Sequence, residues 1–329
     1  MNGNNQINQV QGADFYISRA QGCLLGQLAG DALGSLVEFQ SPEKIRRNYP
    51  NGIREMADGG TWNTIAGQPT DDSELALMLA RSLVEHDTYD EKAALEGYRF
   101  WLNSNPFDCG RTIAAGLNGR FLYDSQANGA MMRISPLGIF GANYELSAVA
   151  NWARRDAALT HPNPICQQAN ALFAMAIAYA IRAGANAETI YREILSWAKE
   201  MEVEEPLLKT VKVAADAPPA DYVSNQGWVL VAFHNALWQL LHAANFKEAV
   251  VDTVMRGGDT DTNAAICGAL LGAVNGREAI PAQWVDCLLN CRPAAGNPHV
   301  HHPRPECFWP VDALDLAEKL ILVFKHSMV

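Results

Sequence analysis

Charge is scarce in this chain. Asp, Glu, Lys and Arg make up 19% of its 329 residues, against roughly 25% in an average soluble domain. Lys plus Arg number 25 and Asp plus Glu 36, giving a formal net charge of -11, and no basic run offsets that balance. A protein that binds nucleic acid by neutralising its backbone needs a dense Lys/Arg face, so that class is excluded. Cysteine pairs at CxxC spacing are missing as well. The seven cysteines (Cys23, Cys109, Cys166, Cys267, Cys287, Cys291, Cys307) are scattered and odd in number, a usage expected of reduced thiols in the cytoplasm. The opening MNGNNQINQVQG has neither a basic residue nor an apolar core, unlike a signal peptide. The longest strongly apolar stretch, Ala171 to Ile181, is shorter than the about 20 residues that a bilayer crossing needs. Convincing period-2 strands are also lacking.

The residues that are present are apolar, at helical spacing. Hydrophobic residues reach 49%, and a chain of this size buries about 75% of its unfolded surface. Such a chain folds without disulfides or a structural metal, so any metal it holds serves function. Leu75, Met78, Leu79 and Leu83 recur on one helical face, as do Leu230, Phe233, Leu237, Leu240 and Leu241. Gly- and Pro-rich breaks at 103–110, 161–164 and 217–219 divide the chain into many short helices. These breaks are loops rather than linkers. The pattern therefore predicts a single all-α domain over residues 13–329. Residues 1–12, mostly Asn, Gln and Gly, bury too little apolar area to offset their ordering entropy and read as a flexible tail.

Two segments concentrate acids at helix starts. Pro69-Thr70-Asp71-Asp72-Ser73-Glu74 opens onto the apolar face that begins at Leu75. Asp71 with Glu74 three residues on fits a capping box, and acids at an N-terminus suit the helix dipole. Gly257-Gly258-Asp259-Thr260-Asp261-Thr262-Asn263 precedes a helix that is apolar almost all round and is therefore buried. Two carboxylates at a buried helix start stay ionised only if paired with cations or a metal. Thr-Asp-Asp and Asp-x-Asp-Thr offer the oxygen donors that hard divalent cations take, while His and Cys are absent from both clusters, which disfavours zinc. Facing each other, the two starts could hold a pair of ions about 3.5–4 Å apart.

With these motifs in place, the chain resembles the ADP-ribosylglycohydrolases, all-α enzymes with a dinuclear magnesium or manganese centre. The match runs from Gly22-Cys23-Leu24-Leu25-Gly26 into Gly30-Asp31-Ala32-Leu33-Gly34 and Glu38, then through Gly67-Gln68-Pro69-Thr70-Asp71-Asp72-Ser73. It continues at Pro106-Phe107-Asp108-Cys109-Gly110, Asn128-Gly129-Ala130-Met131-Met132-Arg133, Thr160-His161-Pro162 and Gly257 to Thr262. Within the family the pattern is nearest to bacterial enzymes that remove ADP-ribose from arginine. The resemblance implies two divalent cations, Mg2+ or Mn2+, held by Thr70, Asp71, Asp72, Asp259, Asp261 and Thr262. It places Glu38 near the scissile bond, to assist water or gate the site, and Asp108 beside the acceptor guanidinium, which a carboxylate can hold bidentately. It also implies a diphosphate-contacting loop at Asn128, Gly129 and Ala130, with further substrate contacts from His161 and Trp228. Ala127, Met132 and Trp228 depart from the nearest pattern, where Gly, no inserted residue and Tyr are usual.

The expected activity is metal-assisted hydrolysis of the N-glycosidic bond between ADP-ribose and a protein arginine, releasing ADP-ribose. One alternative changes the acceptor to serine or another ADP-ribosyl adduct. Another is an antidote protein that blocks a cognate ADP-ribosyltransferase by binding it. Each residue also has an ordinary structural role open to it: Glu38 as a surface acid, Asp108 as a turn or cap, Trp228 as core. Arg133 could hold phosphate or pack as a structural ion pair, and is not counted among the substrate residues. His299-Val300-His301-His302 with Cys307 lies among prolines and reads as a loop before the last helix.

Overall fold

The chain's apolar faces determine which helices become central. In the computed structural model residues 3–322 are described, with side chains from residue 14 onward. The helices run α1 (Gly3–Gly34), α2 (Pro42–Asn48), α3 (Asp71–His86), α4 (Glu91–Asn103) and α5 (Arg111–Leu117). They continue with α6 (Ser135–Gly141), α7 (Leu146–Ala158), α8 (Pro164–Ala183), α9 (Ala187–Glu200) and α10 (Glu205–Val213). The last are α11 (Val229–His242), α12 (Phe246–Met255), α13 (Thr260–Asn275), α14 (Ala282–Asn290) and α15 (Ala313–Leu322). No strand occurs among the described residues; two isolated β-bridges, Gly59–Thr64 and Ala127–Trp228, are the nearest approach to sheet pairing. This is the all-α domain expected. The tail expected over residues 1–12 falls outside the described side chains, although the bounds of α1 run back to Gly3.

Local chemistry starts and stops many of these helices. Asp90, Asn186 and Asn245 accept backbone N–H bonds as N-caps of α4, α9 and α12, and Asn163 does so for α8 just before Pro164. Gly184, at φ 62°, ends α8 in the left-handed conformation. α9 shows the amphipathic pattern of an outer helix, burying Ile190, Ile194, Trp197 and Ala198. α8 corrects one expectation. With 20 residues it is long and apolar enough to cross a membrane, yet 78% of its most apolar window is buried inside the fold, as in a core helix.

The centre is a seam between α1 and α13. Gly22, Gly26, Gly30 and Gly34 fall every fourth residue, on one line along α1. A Cβ at Gly26 would lie 2.2 Å from the Gly268 carbonyl oxygen, one at Gly30 2.0 Å from that of Ala264, and one at Gly34 2.4 Å from that of Thr260. From the other side, a Cβ at Gly268 or Gly272 would lie 2.0 Å from the carbonyl oxygen of Gly26 or Gly22. The partners descend as α1 ascends, so the helices are antiparallel with their backbones in contact. The seam thus carries the C-terminal end of α1 to the N-terminal end of α13, where the second acidic cluster lies.

Gly26→Val and Gly268→Val should each cost about 3 kcal/mol or more, because the obstacle is backbone and cannot rotate away. Gly97→Ala, in α4, meets only the flexible Met78 Cε at 3.4 Å and should be neutral or stabilising by up to about 1 kcal/mol. Denaturant titration of the three variants checks this. Equal stability of the seam variants and wild type would refute the close contact.

Candidate functional site

Asp31, one residue after Gly30 in α1, is fully buried. It accepts hydrogen bonds from the Thr70 N–H (3.2 Å), the Ser73 N–H (3.1 Å) and the Thr70 hydroxyl (2.9 Å). The N-terminus of α3 is therefore capped from α1. Thr70, the N-cap residue, makes no side-chain capping bond, and the capping box expected from Asp71 and Glu74 does not form. Glu74 instead accepts from Trp101 Nε1 at 2.7 Å and from the Arg304 guanidinium at 2.8 and 2.7 Å. Because these two partners satisfy the helix start and Glu74, Asp71 and Asp72 are left for other work.

The second cluster reaches the same place by a turn that needs glycine. Gly257 and Gly258 have φ of 74° and 76°, and a Cβ at Gly258 would lie 2.1 Å from the Tyr222 carbonyl oxygen. Two backbone bonds, Phe39 N–H to Gly258 O (2.7 Å) and Gly258 N–H to Gln40 O (3.1 Å), tie this turn to the segment carrying Glu38. The turn delivers Asp259 as the N-cap residue of α13 and Asp261 in its first turn. The Thr262 hydroxyl lies 3.3 Å from Asp72 Oδ2, and Thr70 Oγ1 lies 3.2 Å from that same oxygen. The structure thus brings together Thr70, Asp71, Asp72, Asp259, Asp261 and Thr262. Glu38 and Asp108 join them: one oxygen each from Glu38, Asp108 and Asp261 lie within 4.8 Å of one another. That trio could itself share a cation.

The cluster holds many like charges and no paired cation. Burial, then mutual repulsion, pushes Asp71, Asp72 and Asp261 well above the usual carboxylate range. Asp31 is raised by burial to about 6, despite its hydrogen bonds from Thr70 and Ser73. Glu38 is raised to about 8 by burial and by Asp108 and Asp259, and Asp108 to about 6 chiefly by burial. Burial raises Asp259 too, opposed by the hydrogen bond it accepts from Asn128 Nδ2 at 2.7 Å. The two buried arginines are committed elsewhere, Arg133 to Asp156 and Arg304 to Glu74. Asp72 Oδ1 and Asp261 Oδ2 are buried without any hydrogen-bond donor. An all-oxygen donor set with orphaned carboxylate oxygens fits a hard divalent cation, which would supply the missing positive charge.

Above these acids lies a cavity of about 270 Å³. Glu38, Asp71, Asp108 and Asp259 line one side of it, and Asn128, Gly129 and His161 are also in its wall. Thr70, Asp72 and Asp261 are almost wholly buried. The Asn128–Gly129 loop is fixed to the strip before α11 by Asn128 N–H to Gly227 O (3.0 Å) and Val229 N–H to Gln126 O (2.9 Å). Ala130 is fully buried and its side chain lies outside the cavity wall, which leaves only its backbone for the contact expected of this loop. Trp228 lies in an adjoining hollow that shares Ala127 and Gly227 with the cavity, and its Nε1 donates to Gln126 Oε1 at 2.8 Å. Of the two readings open to Arg133, the structure shows the ion pair, with Asp156 at 3.1 Å. His302 stacks on Phe107 with ring centroids 4.6 Å apart, and Trp62, 5.9 Å from Phe107, donates its Nε1–H to Glu38. Asp31 and Trp62 are the supporting residues that sequence reasoning did not single out.

An all-helical domain with an oxygen-only acidic centre beneath a cleft defines a hydrolase class; the ADP-ribosylglycohydrolase family model matches residues 13–325, and the chain belongs to this family of ADP-ribosyl glycohydrolases. Enzymes of the family use divalent metal ions. Among its relatives is the ADP-ribosyl-[dinitrogen reductase] glycohydrolase of Rhodospirillum rubrum, 29% identical over 282 residues, covering 82% of this chain and 90% of that protein. The ADP-ribosylarginine hydrolase Tri1 of Pseudomonas putida is 25% identical over 322 residues, covering 93% and 82%. A solved structure, titled an ADP-ribosylglycohydrolase-related protein complex, superposes with a TM-score of 0.78 at 26% identity, covering 94% of this chain and 99% of that one.

A carboxyl group whose pKa is raised by folding is neutral in both states at low pH. It destabilises the fold once the unfolded chain ionises and the folded one resists. Chelated protein should therefore be most stable near about pH 4–5 and lose melting temperature up to about pH 8. Mg2+ or Mn2+ should raise the melting temperature more at the upper end of that range, with proton release seen by calorimetry in buffers of different ionisation enthalpy. A metal-induced shift independent of pH would contradict the charge account.

Proposed function

We propose that this glycohydrolase removes mono-ADP-ribose from protein arginine, using two divalent cations, Mg2+ or Mn2+, held by Thr70, Asp71, Asp72, Asp259, Asp261 and Thr262. The observation that carries this reading is the placement of Asp108 on the cavity wall within 4.8 Å of both Glu38 and Asp261. A carboxylate there meets the planar, always charged guanidinium with two parallel hydrogen bonds. The Pseudomonas relative is an ADP-ribosylarginine hydrolase by name, which supports the same acceptor.

Bound cations would orient the ribose hydroxyls and stabilise charge developing at C1. Asn128 and Gly129, with His161, would receive the diphosphate. Glu38, held by the Trp62 indole N–H, takes a proton from the attacking water as its oxygen bonds to C1. The C1–N bond breaks with its electron pair staying on nitrogen, and the proton that Glu38 took from water passes through the Asp108 carboxylate to that nitrogen. The proton that leaves water is thus balanced by the one the guanidine gains. The proximity of Glu38 to Asp108 lets the pair return to its starting state. An ADP-ribosyltransferase would supply the modified protein. The seven cysteines are all unpaired, which supports a reducing, cytoplasmic setting.

The test is release of free ADP-ribose from a mono-ADP-ribosyl-arginine protein, with Mg2+ or with chelator. Metal-dependent release, abolished in Asp259→Ala/Asp261→Ala, is expected. Asp108→Asn should lower kcat on the arginine conjugate by roughly 100-fold or more. Absence of release by metal-loaded protein would discard arginine, and turnover of a serine-linked conjugate would then identify the alternative acceptor.

A further inference from the structure

A polar chain behind the cleft ends on His161. Arg133 is fully buried; its Nε donates to Asp156 Oδ1 at 3.1 Å, and its NH1 nitrogen donates to Thr160 Oγ1 at 2.9 Å. Tyr98 fixes the same group, its ring centroid 4.3 Å from the guanidinium carbon and its hydroxyl donating to Asp156 Oδ2 at 2.8 Å. Thr160 Oγ1 lies 2.8 Å from His161 Nδ1. His161 is fully buried but belongs to the cavity wall beside Asn128 and Gly129, and its Nε2 has no protein partner.

Arginine only donates, so Thr160 Oγ1 accepts from Arg133 and has one hydrogen left to give. If Nδ1 accepts that hydrogen, every group from Arg133 to Nδ1 is satisfied and the ring proton sits on Nε2, the one atom left for a ligand. If Nδ1 carried the proton, the hydroxyl would accept twice and strand its own hydrogen in the interior, where an unmade bond is costly. We propose that Arg133 and Thr160 are positioning residues that lock His161 as its Nε2–H tautomer, so that this N–H donates to an anionic oxygen of the ligand, the diphosphate of ADP-ribose. The ligand's identity rests on the proposed function; the tautomer does not. Burial and the nearby Arg133 charge hold His161 down at about 3, so the ring is neutral and has a single N–H to direct. Recognition here works by direction rather than by added charge.

The experiment uses Mg2+-loaded full-length protein labelled with 15N-histidine, the His161 signals being identified by their loss in His161→Gln. Long-range proton–nitrogen correlation should show Nε2 protonated and Nδ1 bare, without any ligand. Thr160→Val keeps the shape but removes the hydroxyl; it should abolish the single tautomer and weaken ADP-ribose binding about tenfold. Thr160→Ser should restore both, with melting curves confirming that each variant is folded. An Nδ1–H signal in wild type would overturn the proposal. So would Thr160→Val retaining the tautomer, or losing it with no change in ADP-ribose affinity. Failure of wild type to bind ADP-ribose would count against the ligand alone, since the tautomer is read in the free protein.

Discussion

Everything in this molecule that concerns chemistry depends on two helix backbones touching. Along the glycine positions of the α1–α13 seam the helices meet main chain to main chain, so the spacing there is fixed by atoms that have no rotamers to readjust. That rigidity has a direct use. Asp31 and Glu38 follow from one end of the seam, and Asp259, Asp261 and Thr262 sit at the facing end. A shift along the seam by one turn would move the acids about 5.4 Å relative to one another, more than the 4.8 Å span of Glu38, Asp108 and Asp261. The centre therefore exists only in one register of the two helices.

On this scaffold the protein places carboxyl groups where burial and repulsion oppose their ionisation. What makes such a cluster tolerable is a division of labour among the acids. Asp31 is hydrogen-bonded by backbone and hydroxyl donors of the α3 start, and Glu74 is neutralised by Arg304. These two acids take up the roles that Asp71 and Asp72 would otherwise fill as caps or ion-pair members. Asp72 and Asp261 retain oxygens with no donor at all. The cost of leaving them unpaired is recovered only when positive charge arrives, which links the stability of the apo-protein to metal binding.

Much of this was legible in the sequence, for local reasons. The helical spacing from Leu75 to Leu83 and from Leu230 to Leu241 marks α3 and α11, because amphipathic periodicity is a property of consecutive residues. The acidic starts were readable for the same reason, and the environment of α13, apolar all round, correctly indicated burial. What escaped depends on distant partners. Glu74 was read as half of a capping box because Arg304, 230 residues away, is invisible to a window of a few positions. Asp31 acts on α3 across 39 residues, and Trp62 acts on Glu38 only after two loops meet. Ala130 was legible as part of a motif, but the inward turn of its side chain was not. For α8 the apolar stretch from Ala171 to Ile181 understated the helix, because Ala, Cys and Asn residues of its N-terminal half extend the buried face along the full 20 residues.

The segment between α1 and α2 shows how position and chemistry become one constraint. Phe39 is a non-glycine residue at φ 63°, a conformation that needs support. Its N–H is bound to Gly258 O, while Gly258 N–H is bound to Gln40 O. The reciprocal pair therefore holds the residue after Glu38 against the residue before Asp259. Glu38 is further held by Trp62, whose ring packs toward Phe107 next to Asp108. Any movement that withdrew Glu38 would strain the turn presenting Asp259 and disturb the aromatic contact beside Asp108. Glu38, Asp108 and the start of α13 are thus mechanically coupled through backbone bonds and one indole. Glycine at 258 is required twice over: its positive φ makes the turn possible, and its missing Cβ lets Tyr222 approach the turn's outer side.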